Sequence, residues 1–158
     1  MLTVFCPKCY AENKFEDEFC RSCGAKLDLY TGDYVETLIR FSLKHPVPSI
    51  SAMAAETLGK IGDIRALEPL IEILDYSKEP ELLEAAVEAL GNLRDKRAVP
   101  HILGFMKRGT AAARLKAVKS IEKIGGDKAL SALEKIAAGD PSANVRKEAK
   151  DAITRMRR

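Results

Sequence analysis

The sequence predicts an all-α chain, a solenoid of stacked helix pairs, behind a small β module held together by cysteines. Three observations carry this reading. A block of about 32 residues recurs over most of the chain, with helical apolar spacing in each half. All four cysteines, Cys6, Cys9, Cys20 and Cys23, fall within eighteen residues near the start. Seven of the nine aromatic residues (Phe5, Tyr10, Phe15, Phe19, Tyr30, Tyr34 and Phe41) lie in the first 41 positions, while the rest is rich in Ala, Leu, Ile, Glu and Lys. The 158 residues therefore divide into a stapled module at 1–27, a linker at 28–32 and a repeat domain at 33–158.

No apolar run approaches the roughly 20 residues that span a bilayer, and no apolar segment follows a basic start as in a signal peptide. A cytoplasmic, reducing location is expected, and with it thiols rather than disulfides. The cysteine pattern is C-x2-C-x10-C-x2-C. Two residues between cysteines let a tight turn aim both sulfurs at one ion, and two such knuckles complete a four-thiolate tetrahedron. A short hairpin around Asn13 and Lys14 spans the ten-residue gap. Gly24 follows the second knuckle, where a left-handed residue frees backbone N–H groups to face sulfur; Tyr10 stands at that place in the first. Phe5, Phe15, Phe19 and Leu27 supply a miniature core, too small to fold without the metal. Zinc is the expected ion; iron in a rubredoxin-like site and a redox dithiol pair are the other readings of four thiols. Zinc on four thiolates is doubly negative, and Lys8, Lys14, Arg21 and Lys26 offset it.

Residues 4–27 resemble the short zinc-ribbon family, with two C-P-x-C-G-like knuckles around an "A-E-N" turn. The resemblance implies one structural Zn2+ with Cys6, Cys9, Cys20 and Cys23 as ligands. A closed four-ligand site leaves no position for substrate.

Aligning "AAETLGKIGDIRALEPLIEIL" with "AVEALGNLRDKRAVPHILGFM" superposes Leu58-Gly59 on Leu90-Gly91 and Asp63-x-Arg65-Ala66 on Asp95-x-Arg97-Ala98. A third copy runs through Ile121, Ile124, Asp127, Ala129, Leu130, Leu133 and Ile136. The first helix of each copy carries small residues, Ala54, Ala86, Ala117 and Ala149, then Thr57, Ala89, Ser120 and Ala152, then Leu58, Leu90, Ile121 and Ile153. Small side chains allow close helix approach and the aliphatic ones fill the core. The second helix has a wider apolar face, including Leu67, Leu70, Ile71 and Leu74, and is expected to be the more buried partner. Gly62, Gly125 and Gly126 end first helices, Asp63, Asp95 and Asp127 cap the second helices, and Asp140-Pro141 opens the last helix. The expected elements are an orphan second helix at 33–44, three helix pairs at about 48–138 and a final helix at 141–156.

The stretches "DPSANVRKEAKDAI" and "LGNLRDKRAVPHIL" resemble HEAT-like repeats, especially the short phycobilin-lyase-like subclass, over about residues 33–156. The resemblance implies a right-handed alpha-alpha superhelix, a HEAT-like solenoid behind the β zinc ribbon, in a family dominated by scaffolds and adaptors. Deoxyhypusine hydroxylases of this fold hold iron with His-Glu pairs, and two histidines, His45 and His101, are too few for that chemistry. Phycobilin lyases remain a lesser reading, because fold alone does not carry activity. His45, before Pro46, reads as a cap on helix carbonyls and His101 as a surface or groove residue; no catalytic residues are expected.

Charge is uneven along the chain. Residues 27–93 hold 5 Lys and Arg against 12 Asp and Glu, net −7, and residues 94–158 hold 17 against 7, net +10. Glu36, Glu68, Glu72 and Asp75 form a candidate acidic groove for a basic protein segment. Arg114, Lys116, Lys119, Lys123, Arg146, Lys147, Lys150, Arg155, Arg157 and Arg158 form a candidate basic ladder for nucleic acid or another polyanion, with 114 beside 146 and 123 beside 155. The leading expectation is a protein–protein interaction scaffold with an unidentified protein partner, no membrane partner and a structural zinc site. Shifting the first copy back by 32 leaves "YVETLIRFSLKH" as a second helix without a first. The ribbon is expected to lay its aromatics on that orphan as an N-terminal cap.

Overall fold

The computed structural model describes residues 3–6, 8–14, 16–27 and 34–158. Phe15, Tyr30 and the linker at 28–32 lie outside the described residues. Two short strands, β1 (Thr3–Phe5) and β2 (Glu12–Lys14), pair antiparallel with Thr3 opposite Lys14 and Phe5 opposite Glu12. The other named elements are helical.

Helix α1 (Tyr34–Thr37) continues as a π-helical turn over Leu38–Ser42. The extra residue in that turn changes the phase of the apolar face. Val35 and Leu38 are buried as the 32-residue shift requires, but Leu43 joins them, while Ile39 and Phe41 are only half-buried. The Leu43 N–H closes the wide turn on the Leu38 carbonyl at 2.8 Å, and the Arg40 guanidinium lies over the Phe41 ring, 5.5 Å from its centroid.

Three helix pairs come next. Helix α2 (Pro48–Ile61) starts with Pro in its first turn after extended Val47 and ends at left-handed Gly62. A 3-10 turn, Ile64–Ala66, leads into α3 (Leu67–Tyr76). The next pair is α4 (Pro80–Leu93), a 3-10 turn at Lys96–Ala98, and α5 (Val99–Met106). Asp63 and Asp95 each accept the backbone N–H two residues on and clamp the Arg side chain there, Asp63 to Arg65 and Asp95 to Arg97. In the third pair, α6 (Ala111–Ile124) is capped by Thr110, whose hydroxyl accepts the Ala113 N–H at 3.2 Å. Helix α7 (Gly126–Gly139) then begins without a 3-10 turn, so Asp127 sits inside its first turn instead of capping it. The turn is as long as its counterparts, but Gly126 stands at the place of Asp63 and Lys128 at the place of Arg65, so the third copy lacks the clamp.

The last helix, α8 (Ala143–Met156), starts after Ser142, and Asp140 does not cap it. Its buried carboxylate accepts the Ser142 N–H at 2.8 Å and the Arg114 guanidinium at 2.9 Å. Local sequence suggests a helix cap because Asp-Pro has that signature; the arginine that takes the carboxylate is 26 residues away.

One core runs the length of the helices. Leu58, Leu90 and Ile121 are fully buried, as are Ala86, Ala117 and Ala149. The small residues set the spacing between first helices. A Cβ on Gly59 would stand 2.6 Å from the Ala89 Cα, and one on Gly91 would stand 2.8 Å from the Ser120 Cα. Helix α4, pressed between α2 and α6 through these seats, is buried along Leu82, Leu83, Ala85, Ala86, Val87, Ala89 and Leu90. The second helices are not the more buried partners: Leu103 and Leu130 stay half-buried, because one face of that layer is open.

Candidate metal centre and the surfaces beside it

Each cysteine pair sits at the tip of its own small hairpin. The first tip joins β1 to β2; the second lies between Phe19 and Lys26, which form an isolated antiparallel bridge. Asn13 and Lys14 are therefore strand residues, and the knuckle itself makes the turn that the sequence placed at them. The two knuckles match bond for bond. Tyr10 N–H donates to the Cys6 carbonyl and Gly24 N–H to the Cys20 carbonyl, both at 2.9 Å. Cys6 N–H donates to the Ala11 carbonyl at 2.9 Å and Cys20 N–H to the Ala25 carbonyl at 2.7 Å. Lys8 N–H faces the Cys6 sulfur and Ser22 N–H the Cys20 sulfur, each at 3.4 Å. Gly24 takes the left-handed conformation at φ 70° and Tyr10 takes it at φ 59°. A side chain there costs about 1–2 kcal/mol. The knuckle imposes the geometry on tyrosine regardless.

The four sulfurs lie within 4.8 Å of one another. Cys6 and Cys23 are 3.6 Å apart and Cys9 and Cys20 3.5 Å. Disulfides need about 2.05 Å. A tetrahedral ion with metal–sulfur bonds of about 2.3 Å requires sulfur–sulfur edges of about 3.8 Å. The donor set therefore fits one tetrahedral thiophilic ion, held by Cys6, Cys9, Cys20 and Cys23.

The surroundings favour thiolate unequally. Burial works against ionisation of Cys20, but the N–H groups of Cys23 and Ser22, then Cys9 and Cys6, outweigh it and hold the thiol down to about 6. Burial likewise opposes, and the N–H groups of Cys9 and Lys8 overcome, in bringing Cys6 below its ordinary value. At Cys23 the Ala25 N–H lowers the pKa, but the sulfur of Cys9, desolvation and the sulfurs of Cys6 and Cys20 push it up to about 12. Four crowded thiols resist losing all their protons together, and a dication in their midst takes the place of those protons.

Asn13 is a site residue that the spacing of cysteines did not reveal. Its buried side chain donates to the Ala11 carbonyl at 2.7 Å, faces the Cys20 sulfur at 3.6 Å and accepts the Arg21 N–H at 2.9 Å. It ties the first hairpin to the second knuckle. A lone polar residue in a short strand, flanked by Glu12 and Lys14, gives no pattern to find it by.

The small core around the centre is Cys6, Cys20 and Leu27, with Ala11 and Ala25 against it. Phe5 and Phe19 are exposed instead. Phe5 meets the solenoid edge-on at His45, 5.4 Å between centroids, and Tyr10 does so at 6.2 Å. The ribbon thus touches the corner after α1 and leaves Ile50, Met53 and Ile61 of α2 exposed. Among the described residues the ribbon's aromatic contacts lie at this corner; Phe15 and Tyr30, which the cap also needs, lie outside them. His45 does not cap carbonyls; its Nδ1 accepts the Val47 N–H at 3.1 Å.

The candidate acidic groove is mostly paired. Glu36 binds Arg40 at 3.3 Å, Glu68 approaches Arg97 at 3.7 Å, and Asp75 meets His101 Nδ1 at 2.9 Å. Glu72 has no partner among the described residues. It borders two adjoining clefts of the second-helix layer, walled by Phe41, Lys44, Pro69, Ile73 and Tyr76.

The basic ladder is largely closed on itself. Arg114 and Arg146 converge on Asp140, the first on its carboxylate and the second on its carbonyl at 2.6 Å. Lys116 binds Glu84 at 2.6 Å, Lys123 the Asn92 side-chain carbonyl at 3.0 Å, Arg155 both Glu122 and Glu148, and Arg157 Glu134. Most of these join one copy to the next. Lys119, Lys147, Lys150 and Arg158 are exposed without a partner among the described residues.

Residues 67–154 match the family of HEAT repeats, and residues 52–76 match the PBS lyase HEAT-like repeat. A curated protein named phycocyanobilin lyase subunit alpha, from Picosynechococcus sp., is 40% identical over 60 residues. That match covers 38% of this chain and 22% of the relative, so the chain spans less than a quarter of that protein. With the family match extending over more than half of the chain, through the helix pairs with their Gly and Ala seats, this protein belongs to the HEAT-repeat family.

Proposed function

We propose that the chain is a non-catalytic, cytoplasmic protein-interaction scaffold in which Cys6, Cys9, Cys20 and Cys23 hold one structural zinc ion. The observation that carries the reading is the division of its charged surface. Most of the cations that a polyanion would need are engaged in bonds between copies, whereas Glu72 stands unpaired among the described residues beside apolar Phe41, Ile73 and the 80% exposed Tyr76. Lys44 lines both clefts beside Glu72, so they suit an apolar segment of a partner protein carrying one basic residue for Glu72 and presenting a carbonyl to Lys44. The lyase-named relative shares only part of its length with this chain, and repeats of this kind support many functions. Among the described residues no helix is long and apolar enough to cross a membrane.

The test is binding of the full chain to an array of short peptides with apolar residues around a single Lys or Arg. Binders should lose about tenfold in affinity, about 1.4 kcal/mol, with Glu72→Lys and with Tyr76→Ala. Absence of peptide binding, together with salt-dependent affinity for duplex or single-stranded nucleic acid at about 50 mM salt, would replace this reading with the polyanion one.

A further inference from the structure

Helix α2 shows a stripe that none of the later first helices shows. Ile50, Met53, Thr57 and Ile61 recur at three and four residues, so they share one face, and Met53 is 67% exposed. One copy further on, the same positions are Leu82, Ala85, Ala89 and Leu93, the first three buried and the last half-buried, because α4 lays that face against α2. The stripe is therefore the surface on which a preceding first helix would pack. Among the described residues none does so. The described part of the ribbon has its ring contacts at the corner, on His45, next to exposed Val47.

The opposite end of the stack is different. Around Thr154, the position that continues the Gly59 and Gly91 seats, α8 presents Lys147 and Asp151, all exposed. Stacking one copy on the end of another would bury those charges on Ile50 and Met53, and unpaired burial of charge is costly. The surface on this chain that does match the stripe is the stripe on a second molecule.

We propose that α2 is a self-association surface, through which two copies pair antiparallel about a twofold axis near Thr57. Such an interface is isologous and closes on itself. With the axis at Thr57, Met53 of one copy faces Ile61 of the other, and Ile50 faces the exposed Ile64 that follows α2. The one polar group in the stripe is satisfied in place: the Thr57 hydroxyl donates to the Met53 carbonyl at 2.8 Å. It loses nothing to dehydration. Glu56 and Lys60 lie on one flank of the stripe, and antiparallel helices bring like flanks together, so each copy's Glu56 stands across from the other's Lys60. Fourteen helical residues span about 21 Å. A strip of that length and about 10 Å wide covers about 200 Å², well short of a standard interface of about 800 Å² per partner, so the pair is a weak, reversible dimer. This surface is separate from the cleft beside Glu72, and either can exist without the other.

Sedimentation velocity on the zinc-loaded full chain, from about 1 to about 500 μM, tests it. The expected result is a concentration-dependent shift from monomer to dimer. Met53→Lys should move the midpoint upward by at least about tenfold, with the melting profile of the helices unchanged because the side chain is exposed. Glu56→Lys should weaken the dimer and the double variant Glu56→Lys/Lys60→Glu should recover it. A single monomeric species across the whole range overturns the proposal. So does a dimer whose midpoint ignores both Met53→Lys and Met53→Gln, since that dimer would use another face.

Discussion

The ribbon and the solenoid are both small bodies with dry interiors, yet they are held together by different forces. Among the described residues the ribbon buries Cys6, Cys20, Leu27 and Asn13, two of them cysteines of the candidate metal centre. The solenoid buries an aliphatic core continuous from Val35 to Ala152, with leucines and isoleucines at its centre. With the proposed zinc bound, the first draws its stability from bonds between sulfur and the ion; the second draws it from apolar area and close packing. The chain therefore has two independent ways to fail, connected at one corner by His45.

Removing the metal should separate the two regions most strongly. Structural zinc contributes on the order of 10 kcal/mol or more to modules of this kind. Chelation, or Cys20→Ser with Cys23→Ser, should collapse the ribbon's dispersed amide resonances in NMR spectra. Among the described residues the ring contacts that the helices lose are those of Phe5 and Tyr10, about 1 kcal/mol, which amounts to a fall of about 2–4 °C in helical melting. A drop well beyond that range would mean that the ribbon supports the solenoid after all.

Next in size is the Arg114–Asp140 pair, whose side chains are 14% and 5% exposed. Asp140→Ala leaves the guanidinium without its anion and frees the Ser142 N–H, and should cost about 3–5 kcal/mol in urea unfolding. The ribbon resonances should not move. A cost below about 1 kcal/mol would show that water reaches the pair and serves Arg114 equally well.

The smallest effect concerns pH. The side chain of Arg65, then its backbone N–H, holds Asp63 down to about 2 from the usual 3.8. A carboxylate depressed in the folded state stabilises it above the unfolded pKa and loses that contribution as pH falls through the folded one. The Asp63 clamp should therefore persist at pH 4 and weaken between about pH 4 and 2, visible as a carboxyl shift in an NMR titration.

What the sequence made legible is what repeats or clusters. Ala86, Ala117 and Ala149 recur at one slot and are all buried; the four cysteines are close in the chain and close in space. What it hid depends on single, distant or directional relations. Asp140 resembles a helix cap until Arg114 is seen to reach it. A π-helical turn at Leu38–Ser42 leaves no periodic trace, because it shifts the period by one residue and then ends. Phe5 and Phe19 read as core because they are aromatic, but in so small a module the sulfurs and Leu27 occupy the interior. Period alone overstates the free charge of the basic ladder: Glu84, Asn92 and Glu122 sit one copy away from Lys116, Lys123 and Arg155.

The close seats at Gly59 and Gly91, set against the shortened turn before α6, indicate how a molecule of this design can change length. The stretch from Met106 to Ala113 is one residue shorter than the matching stretch from Leu74 to Leu82, and the helices on either side still pack. A residue deleted inside α2 or α4 would rotate Gly59 or Gly91 by about 100° away from the helix it admits. Insertions and deletions are thus confined to turns or to whole copies. The array is a cassette system, extensible by units of one helix pair, with the distance between first helices as its fixed gauge.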